Sequence, residues 1–118
     1  MSQTRDGGLL AWQWALYAEG HRDRRNLLVH LLTVPVFELG TLGLVAAPFV
    51  TGWLAAAGVA AMAGAMACQG RTHRLEAVPP KPFHGPLDVL ARIFAEQWLT
   101  FPRFVLSGAF GRAWRAAA

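Results

Sequence analysis

A single cysteine, Cys68, among 118 residues excludes an internal disulfide framework and any cysteine-rich zinc site. Charge is also scarce. Asp, Glu, Lys and Arg make up 15% of the chain, where a soluble globular protein usually carries about a quarter. Acids are the rarer sign, 7 Asp+Glu against 11 Lys+Arg, which leaves a formal net charge of +4. So few charges beside 54% hydrophobic residues exclude disorder, because such a chain gains more from burial than from solvation. The opening residues lead to no compact apolar segment with a small-residue cleavage site, so no cleavable signal peptide is expected. Also missing are a glycine-rich phosphate loop after a strand, a Gly-x-Ser-x-Gly elbow and a Cys-His pair of interpretable spacing.

What is present is a long uncharged stretch. Between Arg25 and Arg71 the only formal charge is Glu38. The run exceeds the roughly 20 residues that cross a bilayer as a helix. Pro35, Gly40, Gly43 and Pro48 inside it favour two helices, near Asn26–Ala47 and Thr51–Gln69, joined at Pro48-Phe49-Val50. A chain of this length has little material to wrap around two apolar helices, so a membrane hairpin is expected. In the second helix Gly52, Ala56, Ala60, Gly64 and Cys68 form a small-residue stripe of the kind that lets helices approach closely in lipid. Simple Ala/Gly enrichment explains it nearly as well.

Basic residues flank the hairpin: Arg22, Arg24 and Arg25 before it, Arg71, Arg74 and Lys81 after it. A double crossing puts both clusters on one side, and the positive-inside bias makes that side cytoplasmic, in a bacterial inner membrane. Cations so placed suit anionic lipid headgroups, not nucleic acid. Leu9–Tyr17 is too short to span and reads as an interfacial helix carrying Trp12 and Trp14. After the Pro-rich loop 78–86, a last helix should run from about Pro86 to Gly108. Leu90, Phe94, Trp98, Phe101 and Val105 would form its apolar stripe, Arg92 and Glu96 would pair at i,i+4, and Pro102 would kink it. The expected fold is a single all-α domain over residues 1–118: a small helical membrane bundle with a central apolar hairpin, an interfacial first helix and a kinked last one. Homo-oligomerisation is left open.

This topology gathers the histidines. His21, His73 and His84 lie at the basic ends of the hairpin, and His30 lies one turn inside it if Asn26 is the N-cap. On one continuous helix His21 and His30 would face opposite ways, but the Arg-Asp-Arg-Arg break lets His21 fold back. A buried imidazole needs a partner, and neutral imidazoles near a carboxylate are the usual material of a divalent transition-metal site. Glu76, three residues after His73, is the expected carboxylate. His84 is either a fourth ligand or a loop residue, and Glu38 is assigned a structural place.

At these residues the sequence resembles a known family. Tyr17-x3-His21-x4-Asn26-x3-His30-x4-Pro35 looks like the N-terminal signature of the yeast 2-hydroxy fatty acid dioxygenase family, small multi-helix membrane proteins. Thr72-His73-Arg74-Leu75-Glu76 with Pro79 and Pro80 is similar to its second signature, and Gly85-Pro-Leu-Asp through Phe101-Pro-Arg-Phe-Val-Leu-Ser-Gly108 to its last segment. The resemblance implies iron(II)-dependent alpha-oxidation, in which a 2-hydroxy fatty acid and dioxygen give an acid shorter by one carbon. It implies metal ligation by His21, His30 and His73, with His84 the open case, and a catalytic place for Glu76. Tyr17, Asn26, Arg22, Arg25 and Arg74 are the expected substrate-binding residues, the arginines drawing the carboxylate to the membrane face. Two other readings stay open: a non-enzymatic membrane scaffold, and a metal-binding module without turnover.

Overall fold

The computed structural model describes Arg5 and residues 7–117, and no strand occurs among them. The helices are α1 (Leu9–Tyr17), α2 (Arg24–Ala46), α3 (Trp53–His73), α4 (Pro86–Ala95), α5 (Phe101–Leu106) and α6 (Ala109–Ala116). A 3-10 turn, Ala18–Gly20, follows α1, and a π turn, Glu96–Thr100, joins α4 to α5. The fold class is all-α.

Asp23, not Asn26, caps α2. Its backbone is extended and its side chain accepts from the amides of Arg25 and Asn26, so the helix begins at Arg24. Both α2 and α3 are long and apolar enough to cross a membrane. They pack antiparallel, with Asn26 bonded to Thr72 at one end and Thr41 to Met62 toward the other. The close approach is Gly40 against Gly58: a Cβ on Gly40 would stand 2.7 Å from the Gly58 carbonyl oxygen. The expected small-residue stripe does not make this contact. Gly52, Ala56, Ala60, Gly64 and Cys68 are exposed, while Gly58, Ala65 and Gln69 are buried. The two rows lie on nearly opposite sides of the helix, about 160° apart around the axis. Helix α3 also runs past Gln69 to His73.

The final helix differs from the sequence expectation in two ways. Pro102 has no amide to donate, and the turn before it widens: the Phe101 amide bonds to the Glu96 carbonyl, an i+5 closure. Arg92 and Glu96 do not pair. Beyond Gly108, whose φ of 87° is the left-handed conformation suited to glycine at a helix end, the chain reverses into α6. Phe110 and Trp114 of α6 stack on one another, and Phe110 meets Phe101 and Phe104 edge-on. Arg24 reaches from the start of α2 to lie over the Trp114 ring and donate to its carbonyl. The core so formed is Tyr17, Leu27, Val34, Phe101 and Phe104, under the basic end of the hairpin.

Helix α1 is held against α4 and the π turn. Gln13 donates to the Arg92 carbonyl and accepts from the Thr100 hydroxyl. Behind it a reciprocal pair of buried amides, Gln69 and Gln97, ties α3 to the π turn, and Gln69 also donates to Thr33 of α2.

Candidate metal centre

Three local accidents of chain direction bring three imidazoles together. His21 lies in the break between the 3-10 turn and α2, His30 is almost two turns into α2, and His73 ends α3. Their ring centroids are 4.8 Å (His21–His30), 4.8 Å (His21–His73) and 4.9 Å (His30–His73) apart, each pair near perpendicular. Glu96, on the π turn, completes the group: its ligand atom and those of the histidines all lie within 4.8 Å of one another. His21, His30, His73 and Glu96 could together hold a metal ion.

The tautomers follow from the partners. His21 Nδ1 is 2.7 Å from the Tyr17 carbonyl and His30 Nδ1 is 2.9 Å from the Asn26 carbonyl. A carbonyl only accepts, so both Nδ1 atoms carry a proton, and in the neutral ring Nε2 presents the lone pair. Those Nε2 atoms, together with His73 Nδ1, are buried without a hydrogen-bond partner. Leaving three such nitrogens dry and unpaired is costly unless something binds them. Each Nε2 is 3.5 Å from Glu96 Oε2. Donors about 2.1 Å from a shared ion stand roughly 3.0–3.4 Å apart when adjacent, so the group fits a divalent ion after small side-chain adjustments.

Glu96 is held as an anion. Burial alone would raise its carboxyl, but hydrogen bonding and attraction from the His21 and His30 rings in their protonated form outweigh that and keep it well below the usual carboxylate range. Tyr17 donates to Glu96 Oε2 at 2.8 Å and stacks on His21 with centroids 3.8 Å apart. Burial, then the Glu96 charge and the hydrogen bond to it, push the Tyr17 phenol up, so it stays a neutral donor.

The other expected site residues lie elsewhere. Glu76 does not face the imidazoles. It accepts from the amides of Arg22 (2.9 Å) and Asp23 (3.0 Å) and from the Asn26 side chain (2.8 Å). The reason is that α3 ends at His73 and the following turn carries Glu76 toward the α2 N-terminus, with the Glu76 amide on the His73 carbonyl. Asn26 in turn accepts from Thr72 and supplies the carbonyl that fixes His30. One carboxylate thus braces all three histidine segments from behind. His84 is exposed in the Pro-rich loop, its amide on Asp88, and stands outside the group. Arg25 pairs with Asp23, and Arg22 and Arg74 are exposed.

Sequence reasoning missed Glu96. Its signal was an acid set among Phe94, Ala95, Gln97 and Trp98, but the i,i+4 spacing to Arg92 offered a plainer partner.

Beside the group opens a cavity of about 240 Å³, with His21, His73 and Glu96 on its inner wall and Trp12, Leu16, Met66 and Phe83 among its apolar lining. Its cations are Lys81 and Arg92, not Arg22, Arg25 or Arg74. Compared with protein-family models, curated proteins and solved structures, the chain matches none.

Proposed function

We propose that this chain is a membrane-embedded, iron(II)-dependent dioxygenase acting on 2-hydroxy fatty acids, shortening them by one carbon. The observation that carries the reading is the set of three buried, unpartnered imidazole nitrogens converging on Glu96 at the wall of an apolar cavity. Three nitrogens and one carboxylate leave coordination positions open for a chelating oxygen donor and dioxygen, which suits iron(II). The bilayer reading is supported by exposure: 22% and 17% of the most apolar windows of α2 and α3 are buried, and Leu32, Leu39, Val45 and Trp53 point outward. The basic residues at the site end support a cytoplasmic face.

The protein's part is to bind, orient and keep water out. His21, His30, His73 and Glu96 would hold the ion, whose redox chemistry with dioxygen is what it supplies when bound. The Tyr17 and Asn26 carbonyls keep two imidazoles in the ligating tautomer. Tyr17 keeps its proton and fixes the direction of Glu96. Phe101 packs against His30 and Phe104 against His21, and neither ring lines the cavity. Over the whole reaction the carboxyl carbon leaves as carbon dioxide, C2 becomes the new carboxyl, and dioxygen is the oxidant, reduced in part to water.

Metal analysis of protein purified without oxygen tests the site, and incubation with 2-hydroxypalmitate and dioxygen tests the reaction. About one iron per chain, lost in His30→Ala, and a product one carbon shorter are expected. Iron without product would leave a metal-binding module; neither would leave a scaffold.

A further inference from the structure

We propose that Lys81 is the residue that selects an acidic head group at the cavity. The inference rests on the reading above that a long-chain acid reaches the metal group through this cavity.

Two cations reach the cavity wall, and they differ in what their charges already do. Arg92 is buried and committed. Its guanidinium donates to the carbonyls of Pro82 (2.8 Å) and Lys81 (2.9 Å), lies 4.2 Å from the Phe83 ring centroid and 5.1 Å from that of Trp12, and faces Asp88 at 3.8 Å. With its donors and charge so used, Arg92 is the clamp that fixes the 78–83 segment over the cavity. Lys81 is held by that clamp through its backbone, while its ammonium makes no ion pair or side-chain hydrogen bond among the described residues. A cation on an anchored backbone at an apolar cavity is placed for a charge-assisted bond to a carboxylate. The acids on the same wall do not remove it: Glu96 is engaged by Tyr17 and lies 3.5 Å from two imidazoles, and Glu19 is exposed and, among the described residues, within 4.0 Å of no cation.

Met66, Gln69 and Gly70 of α3 form part of the wall, so an alkyl chain bound there runs beside an apolar helix, where lipid would meet it.

The experiment is equilibrium binding to metal-free, full-length protein in nanodiscs, by displacement of a fluorescent fatty acid. The competitors are 2-hydroxypalmitate and its neutral counterpart, hexadecane-1,2-diol. Lys81→Met should weaken the acid roughly tenfold and leave the diol within twofold, while Lys81→Arg should restore the acid. Unchanged acid affinity in Lys81→Met, equal weakening of acid and diol, or no binding of the acid to the native protein would overturn the assignment. Lys81-dependent binding without any shortened product would sink the reaction and keep the assignment. Turnover with an unaltered KM in Lys81→Met would keep the reaction and sink the assignment.

Discussion

At the scale of single residues, the two glutamates near the histidines divide the work. Glu96 sets an oxygen 3.5 Å from two imidazoles, as a fellow ligand would; Glu76 engages both its oxygens with amides and with Asn26. Glu96→Ala should therefore abolish metal binding, read by metal content after purification, whereas His84→Ala should leave it unchanged. Glu76→Ala should act indirectly. Losing charge-assisted bonds worth about 2 kcal/mol in total frees the turn bearing His21, so metal affinity and melting temperature should fall together. If Glu76→Ala lost metal with no change in melting temperature, Glu76 would be a ligand after all. Away from the site, the Arg5 guanidinium, 2.7 Å from Asp88, holds that carboxyl down at about 2, with the His84 amide assisting against partial burial. A carboxyl lowered on folding stabilises fully above the ordinary range near pH 4, and the benefit disappears as pH falls through about 2. The tether of Arg5 to α4 should hold at neutral pH and release between those values, which a carboxyl NMR titration of Asp88 would follow.

Elements show which parts of the structure were legible beforehand. The hairpin was, because an uncharged run bounded by arginines has few other uses, and its ends brought His21, His30 and His73 to one place. The π turn was not. Hydrophobic periodicity assumes a constant 3.6 residues per turn, and one inserted residue between Arg92 and Phe101 re-aims Glu96 toward the histidines without altering composition. Helix α6 was readable only in hindsight, from Gly108 followed by Phe110 and Trp114 four apart. Deleting Leu99, an exposed residue of that turn, should restore ordinary helix and rotate Glu96 by about 100° relative to α5. The expected outcome is a folded, helical protein by circular dichroism that no longer retains metal. Retention of metal would show that the wide turn does not aim Glu96. The hairpin contact is equally specific. Gly58→Val would drive a side chain into the Gly40 carbonyl, and overpacking of this kind costs about 1–3 kcal/mol. The loss should appear as a lowered melting temperature.

For the whole molecule, the decisive property is that one end carries nearly everything polar. The Asn26–Thr72 bond puts the start of α2 beside the end of α3, and the metal group, the cavity and the basic clusters all lie there. The opposite end presents Phe49, Val50 and Trp53, each well over half exposed. In water such a surface would drive association; in a bilayer it faces lipid or the far interface. Two crossings then require the site at one headgroup boundary and Phe49 at the other, since a 23-residue and a 21-residue helix each reach across the hydrocarbon core. Cysteines placed one at a time at Glu19, Leu75 and Phe49, all exposed, in a Cys68→Ser background make the arrangement measurable. Added to intact cells, a membrane-impermeant maleimide should label Phe49→Cys and spare the other two; inverted vesicles should show the reverse. Labelling of all three from one side would mean that the hairpin lies in the interface without crossing. The apolar faces of α2 and α3 would then need a protein partner in place of lipid.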